Sequence, residues 1–591
     1  MLPLPWVEDY MLDIAYFSME VALEAGMHTY SGGLGVLAGD TLKTFADFGF
    51  AAVGITLLNE LGYVEQGIDS TGRQVSRPEL WNKEEYLTKL PFTIEVPFKG
   101  RAVACAVWQY IVVGQFEKEV PVYFLDTHLP GNNKYDRTLT SHLYGGDAYY
   151  RLCQEQILGL GGFILLDKLG FGQEKVRIYH LNEGHAAFVG LSLYSQGRES
   201  HLADEAAIDL VHSKVVFTTH TPVMSGHDQF SSSDVGKTLP TKLFNFLPEE
   251  AFQNNQLCMT RLALYYSGIV TGVARSHEKT AEKMFPGYDV VSVTNGVYHL
   301  AWTHPNFKSL YDKYIPLWRR DPAFLHAVLG IPDDEIWAAH RSAKQELIEH
   351  VNQTSSVKLA LDVCTLGFAR RVTVYKRPTL ILTDLKKLEK IAAEVGPLQI
   401  IFAGEAHPYD RQAIELIRQI FQKTQQFKGN VKIAFLEDYG MGLATKLTAG
   451  VDVWLNTPRR TYEASGTSGM KAALNAVPHL SVLDGWWPEG WVEGVTGWSI
   501  GSQIMRTELD DQTGWGLDVL DLYYKLAVEI LPLYYKDRTG FVRIMKCAAA
   551  LNGSRFNTNR MVRDYVSKVY FPLKTKISAN TLGVSVNDPL K

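Results

Sequence analysis

The chain has 591 residues, 46% hydrophobic and 21% charged, with a formal net charge of −6. That length exceeds what one hydrophobic core supports and calls for two large domains, while the balance of apolar and charged residues excludes a disordered chain. A mildly acidic chain is no polyanion binder, so no nucleic acid partner is expected.

Other absences narrow the class further. No stretch of 18 apolar residues occurs, so no membrane partner is expected, and the start Met1-Leu-Pro-Leu-Pro-Trp-Val-Glu-Asp9 lacks the basic n-region of a signal peptide. Cys105, Cys153, Cys258, Cys364 and Cys547 form no C-x-x-C pair, which fits a reducing cytoplasm and no metal site.

Taken in chain order, a helical pattern of Leu34, Leu37, Ala38, Leu42 and Phe45 precedes the strand Phe50–Leu57. The region 92–126 reads as a smaller β-rich sheet. Val176–Tyr179, Lys214–Thr218 and Asp289–Thr294 are further strands of the first half. Thr365–Phe368, Leu398–Phe402, Lys432–Phe435, Val451–Leu455 and Leu480–Leu483 are strands of the second. Strands alternating with helices predict parallel sheets covered on both faces. The expected fold is α/β: two doubly wound Rossmann-like domains facing a central cleft, residues 1–295 and 296–591, with the last helices packing back on the first domain. The segment Ser578-Ala-Asn-Thr-Leu-Gly583 is expected to be loosely ordered.

Chemistry-bearing residues cluster just after these strands, where open α/β sheets bind ligands. Ser31-Gly-Gly-Leu-Gly35 opens a helix, and Gly32 and Gly33 let backbone approach an anion; alone, the motif is equally a capped helix after a tight turn. Glu183 and His185 follow one strand, and His220, beside Pro222, follows another. Asn295 sits in a Thr-Asn-Gly turn. Arg370, Arg371, Lys376 and Arg377 interrupt an apolar strand-loop unit and are expected to point into the cleft. Finally, Glu463-Ala-Ser-Gly-Thr-Ser-Gly-Met-Lys471 places a lysine at the end of a Gly-rich loop. Such a lysine can neutralise a phosphate or form a Schiff base with pyridoxal phosphate. No pair of carboxylates suited to glycoside hydrolysis is evident.

The nonapeptide Glu463–Lys471 closely resembles the cofactor-binding segment of the α-glucan (glycogen, starch, maltodextrin) phosphorylases, and the motifs from Ser31 to Lys471 occur in that family's order. The resemblance implies a GT-B glycosyltransferase architecture and pyridoxal 5′-phosphate anchored on Lys471. It implies that orthophosphate attacks the terminal α-1,4-linked glucose, giving α-glucose 1-phosphate with retained configuration. It assigns Thr467, Ser468, Arg370, Lys376 and Tyr439 to the cofactor, and Arg371, Lys376, Gly32 and Gly33 to phosphate. It assigns His220, Asn295, Glu463, Ser465 and Gly466 to the glucosyl unit, and Glu183 and His185 to the acceptor side or to support.

The chain departs from the long enzymes at Arg370 (Lys there), Ala22 (Tyr) and Gly440 (Arg), and it starts near the catalytic core. These departures suggest the short bacterial or archaeal type without the regulatory segment. Expected partners are an α-1,4-glucan and inorganic phosphate, with a homodimer an open option. Three other readings remain at this point: a nucleotide-sugar glucan synthase, an aminotransferase-like pyridoxal enzyme, and a non-catalytic glucan binder.

Overall fold

A computed structural model describes residues 11–223, 226–424, 426, 429–501 and 511–573. The readings of Met1–Asp9 and of Ser578–Gly583 lie outside them.

The first half builds a nine-stranded sheet from β1 (Leu12–Ser18), β2 (Ala52–Leu57), β3 (Thr88–Phe98), β4 (Arg101–Val113), β5 (Glu119–Asp126), β6 (Val176–Asn182), β7 (Val215–Thr218), β8 (Ile269–Gly272) and β9 (Val290–Ser292). Their spatial order is β9-β8-β7-β6-β1-β2-β5-β4-β3. All neighbours are parallel except β5–β4 and β4–β3. The region 92–126 is therefore no separate sheet: β5 pairs with β2 from Gly54↔Val122 to Leu57↔Leu125 and carries the antiparallel strands as an extension. β9 is shorter than the expected Asp289–Thr294, because the amides of Val293 and Asn295 turn to Gly272 O and Val273 O, each at 3.0 Å, at and beyond the end of β8.

The second half builds six parallel strands: β10 (Cys364–Ala369), β11 (Leu398–Ala403), β12 (Val431–Leu436), β13 (Val453–Asn456), β14 (His479–Val482) and β15 (Gly497–Ile500). They are ordered β12-β11-β10-β13-β14-β15. This is the doubly wound order, and the reversal between β10 and β13 opens a crevice at their carboxyl ends. The first sheet reverses between β1 and β6, where Asn182 Nδ2 donates to Ser18 Oγ at 3.0 Å. The central strands are buried on both faces, as parallel strands covered by helices must be. The α/β, GT-B-type architecture thus matches the fold the sequence predicts.

Four helices matter below: α1 (Gly33–Phe48), α2 (Asp333–Thr354), α3 (Ser468–Leu474) and α4 (Thr558–Tyr565). Helix α1 lies so close to the exit of β1 that a Cβ on Gly39 would stand 1.8 Å from Ala22 O. Helix α4 reaches the first sheet: Thr44 Oγ1 donates to Thr558 Oγ1 at 2.6 Å, and Met561, Val562 and Tyr565 share a core with Ile14, Leu42 and Phe45. The hairpin Glu65–Ile68/Gln74–Arg77 docks on the second sheet, where Gln66 Nε2 donates to Gly404 O (3.0 Å) and Gln74 Nε2 to Ala406 O (2.8 Å).

Behind β10 and β13 sits a buried charge. Lys344 on α2 donates to Asp452 Oδ2 (2.5 Å), Val363 O (2.7 Å) and Tyr534 OH (3.0 Å), and Asp452 also accepts from Thr365 N at 2.7 Å. Removing one partner of such a pair strands the other in a low dielectric. Asp452→Ala should therefore cost about 3–5 kcal/mol, read as a lowered urea midpoint.

Candidate functional site

The loop after β13 runs through Thr457 and Pro458 to Glu463, and Gly466 takes φ +78° so that the chain can turn into α3. Lys471 lies inside α3, not at the loop's end, because α3 begins at Ser468. The helix is pressed against β14: a Cβ on Gly469 would meet the His479 ring at 2.8 Å. Lys471 is 7% exposed, and its Nζ sits 3.4 Å from the centroid of the Trp302 ring. Among the described residues no carboxylate forms an ion pair with it. Burial lowers its pKa to about 8, against the opposing charge of Asp40. More of it is therefore a free amine at neutral pH than for an exposed lysine, and that is the form that adds to a carbonyl carbon.

The basic cluster follows β10. Arg370 Nη2 lies 2.7 Å from Glu463 Oε2, and its Nη1 donates to Asn456 Oδ1 on β13, across the crevice between the two strands. Lys376 Nζ donates to both Glu463 oxygens, at 3.1 and 3.2 Å. Burial alone would raise the pKa of Glu463, but Arg370 and Lys376 outweigh it and hold the carboxylate below its ordinary range. Asp484 Oδ2 accepts from Glu463 N at 2.8 Å, and burial beside the Glu463 charge pushes it up to about 7. Arg371 faces the other half of the molecule, its guanidinium 5.7 Å from the Tyr63 ring centroid. Nε of both Arg370 and Arg371 is buried without a hydrogen-bond partner.

Arg377 does not point into the cleft. Its φ of +47° turns it back to donate to Thr457 O (3.0 Å), Pro458 O (2.9 Å) and Asp518 Oδ2 (2.6 Å), so it braces the exit of β13. Tyr439 is partly buried within electrostatic reach of Arg370, and desolvation raises its phenol's pKa. Ser468 Oγ accepts from Trp454 Nε1 at 3.1 Å, while Thr467 precedes α3 with no side-chain cap bond. The Ser465 hydroxyl is buried without a partner.

On the first sheet, Glu20 after β1 occupies the start of the Gly loop. Its Oε2 accepts from Ser31 N (2.6 Å) and Gly32 N (3.1 Å), and its Oε1 from Tyr144 OH (2.9 Å). The Gly32 amide is therefore already engaged, whereas Gly33 opens α1 with no atom within 4 Å of a built Cβ. The His220 ring meets Asn182 Oδ1 at 2.7 Å through Nε2; since that oxygen only accepts, Nε2 carries the proton. Burial lowers the pKa of His220 to about 3, so the ring stays neutral and Nδ1 is an acceptor.

Glu183 adopts φ +75° and spends its carboxylate on Gly184 N, His220 N and Thr221 Oγ1, at 2.7–3.2 Å. That is a brace for the β6–β7 exits. His185 Nε2 is 3.4 Å from Asp228 Oδ2, with Nδ1 unpartnered. Asn295 Oδ1 is likewise buried and unpartnered, its backbone held by Val273 O and Arg560.

Sequence reasoning missed four participants: Trp302 beneath Lys471, Tyr144 on Glu20, Tyr63 against Arg371, and Asp484 beside Glu463. All are single residues reached by long-range contacts, and none carries a local motif. Because Glu463 is the shared counter-ion of two buried cations, Glu463→Gln should lower the thermal midpoint, and inorganic phosphate should restore more of it than it adds to the parent protein, a comparison thermal unfolding makes directly.

Residues 245–487 match the carbohydrate phosphorylase family. Over 94% of its length the chain is 39% identical to a maltodextrin phosphorylase of Thermococcus litoralis, covering 70% of that protein. It is 34% identical to a glycogen phosphorylase of Aquifex aeolicus, over 95% of this chain and 87% of that one. With a glycogen phosphorylase of Mycobacterium tuberculosis it shares 33% identity, over 95% and 71%. By these relatives, each more than 30% identical and covered over more than two thirds of its length, this chain belongs to the carbohydrate phosphorylase family.

Proposed function

We propose that this protein is an α-1,4-glucan phosphorylase, releasing the terminal glucose of glycogen, starch or maltodextrin as α-glucose 1-phosphate with retained configuration. The observation that carries the reading is the constellation of Lys471, Arg370, Lys376 and Glu463 at the β10–β13 reversal, with Arg371 beside it against Tyr63 of the first half. We divide the chain at Asn295/Gly296, so that the cleft lies between the halves.

Lys471 is suited to anchor pyridoxal 5′-phosphate, being buried, partly unprotonated and free of a carboxylate partner among the described residues. That cofactor supplies a phosphate with a second pKa near 6, a proton partner for the substrate phosphate at neutral pH. The orphaned Nε atoms of Arg370 and Arg371 are donors awaiting an oxyanion. When phosphate enters, it competes with Glu463 for Arg370 and Lys376. The freed carboxylate then accepts from glucosyl hydroxyls beside the Ser465 hydroxyl and the Asn295 amide. Neutral His220 offers Nδ1 to a further sugar hydroxyl. Closure of the halves would exclude water, the competitor that would give free glucose.

The cytoplasm fits the five unpaired cysteines, and assembly as a homodimer belongs to the same proposal. Among the described residues no helix is long and apolar enough to cross a membrane.

The direct test is incubation with maltodextrin and orthophosphate, with the α-anomer of glucose 1-phosphate as the expected product. Transfer from a sugar nucleotide without phosphorolysis would favour a synthase instead. Lys471→Ala should lose both the cofactor and activity. Arg371→Ala should raise the phosphate KM about 10–100-fold, the loss of a charge-assisted hydrogen bond, with glucan binding little changed.

A further inference from the structure

Lys471 lies in the second half of the chain, but its surroundings are fixed from the first. The indole face beneath its Nζ belongs to Trp302, whose Nε1 donates to Asp40 Oδ2 at 2.8 Å. The same oxygen accepts from Tyr298 N at 3.0 Å. Asp40 sits on α1 at 1% exposure, and α1 repeats the grip: Asp47 Oδ2 accepts from Tyr298 OH at 3.0 Å, two turns further along. Positions 40, 44 and 47 lie on one helical stripe, and Thr44 takes Thr558 of α4. An apolar stripe would dock α1 equally well at lower desolvation cost, so the buried carboxylate needs another reason.

We propose that Asp40 is the positioning residue of Lys471: its carboxylate anchors the Trp302 indole under the ammonium, and its charge stabilises that ammonium from the opposite half of the cleft. A cation over an indole face is favoured when desolvated, but only if the ring cannot swing away. The bond from Nε1 to Asp40 supplies that restraint. The charged groups around Asp40 are Lys43, whose Nζ donates to Leu23 O at 2.9 Å, and Lys471 itself. Burial dominates and raises the pKa of Asp40, while these two lysines and the donors from Tyr298 and Trp302 work against it. For Lys471, burial is opposed by the charge of Asp40. Each charge thus opposes the neutralising effect of burial on the other.

The inference concerns the free amine of Lys471, before any carbonyl compound is bound to it, so its test is independent of the proposed activity. Full-length protein is cleared of any carbonyl adduct with hydroxylamine. The pH dependence of acetic anhydride labelling of Lys471 is then followed by peptide mass spectrometry, with exposed Lys390 as the internal standard. The parent midpoint should lie at about 8. Asp40→Asn, which keeps an acceptor oxygen and loses the charge, should lower it by about one pH unit, or about tenfold more free amine at fixed pH. Trp302→Phe keeps an aromatic face and deletes the bond to Asp40; it should lower the midpoint by a smaller amount. Unchanged midpoints in both folded variants would overturn the inference. Should Asp40→Asn fail to fold, Trp302→Phe decides alone: a lowered midpoint supports it, and an unchanged one overturns it.

Discussion

One carboxylate, Glu463, keeps two cations inside the protein. Lys376 is buried, the Arg370 side chain is 10% exposed, and both are paired to it, so the crevice at the β10–β13 reversal can concentrate positive charge without unfolding. In a low dielectric an uncompensated pair of cations would be expelled or neutralised. Under the proposed function, a substrate anion would displace this internal counter-ion, which would keep the site both stable and receptive. Behind Glu463, Asp484 is pushed up to about 7, chiefly by burial and further by the Glu463 charge.

The rest of the architecture delivers groups to that point. Strand β10 ends one residue before Arg370, and β13 ends one residue before Thr457, which with Pro458 holds Arg377 by its carbonyls. The first sheet contributes through its own reversal, where Glu20 follows β1, Asn182 ends β6 and Glu183 comes next. Their bonds hold the Gly loop and the His220 ring in place. Among the contacts that join the halves are the Gln66/Gln74 hairpin and α1, gripping Trp302 and α4.

Much of this was legible in the sequence because it is local. The alternation of apolar runs and helical patterns gave both parallel sheets, and the Lys471 segment is recognisable because small residues, hydroxyls and a lysine must be contiguous to turn and open a helix. Long-range contacts were not legible. Nothing around Trp302 announces that its indole lies under a lysine far along the chain, and nothing around Glu20 says that it takes the Gly32 amide. Arg377 was misread because four basic residues within a short run look alike on paper, whereas a left-handed φ sends that one backwards. The region 92–126 was misread because antiparallel hairpins carry no sign of the parallel strand they continue.

The central claim is that the buried amine of Lys471 carries an aldehyde cofactor through a carbon–nitrogen double bond. Borohydride reduction of the protein as isolated, followed by peptide mass mapping, tests it most directly. The account predicts a phosphopyridoxyl group fixed on the peptide containing Lys471. An unmodified Lys471 in protein that still phosphorolyses glucan would contradict it.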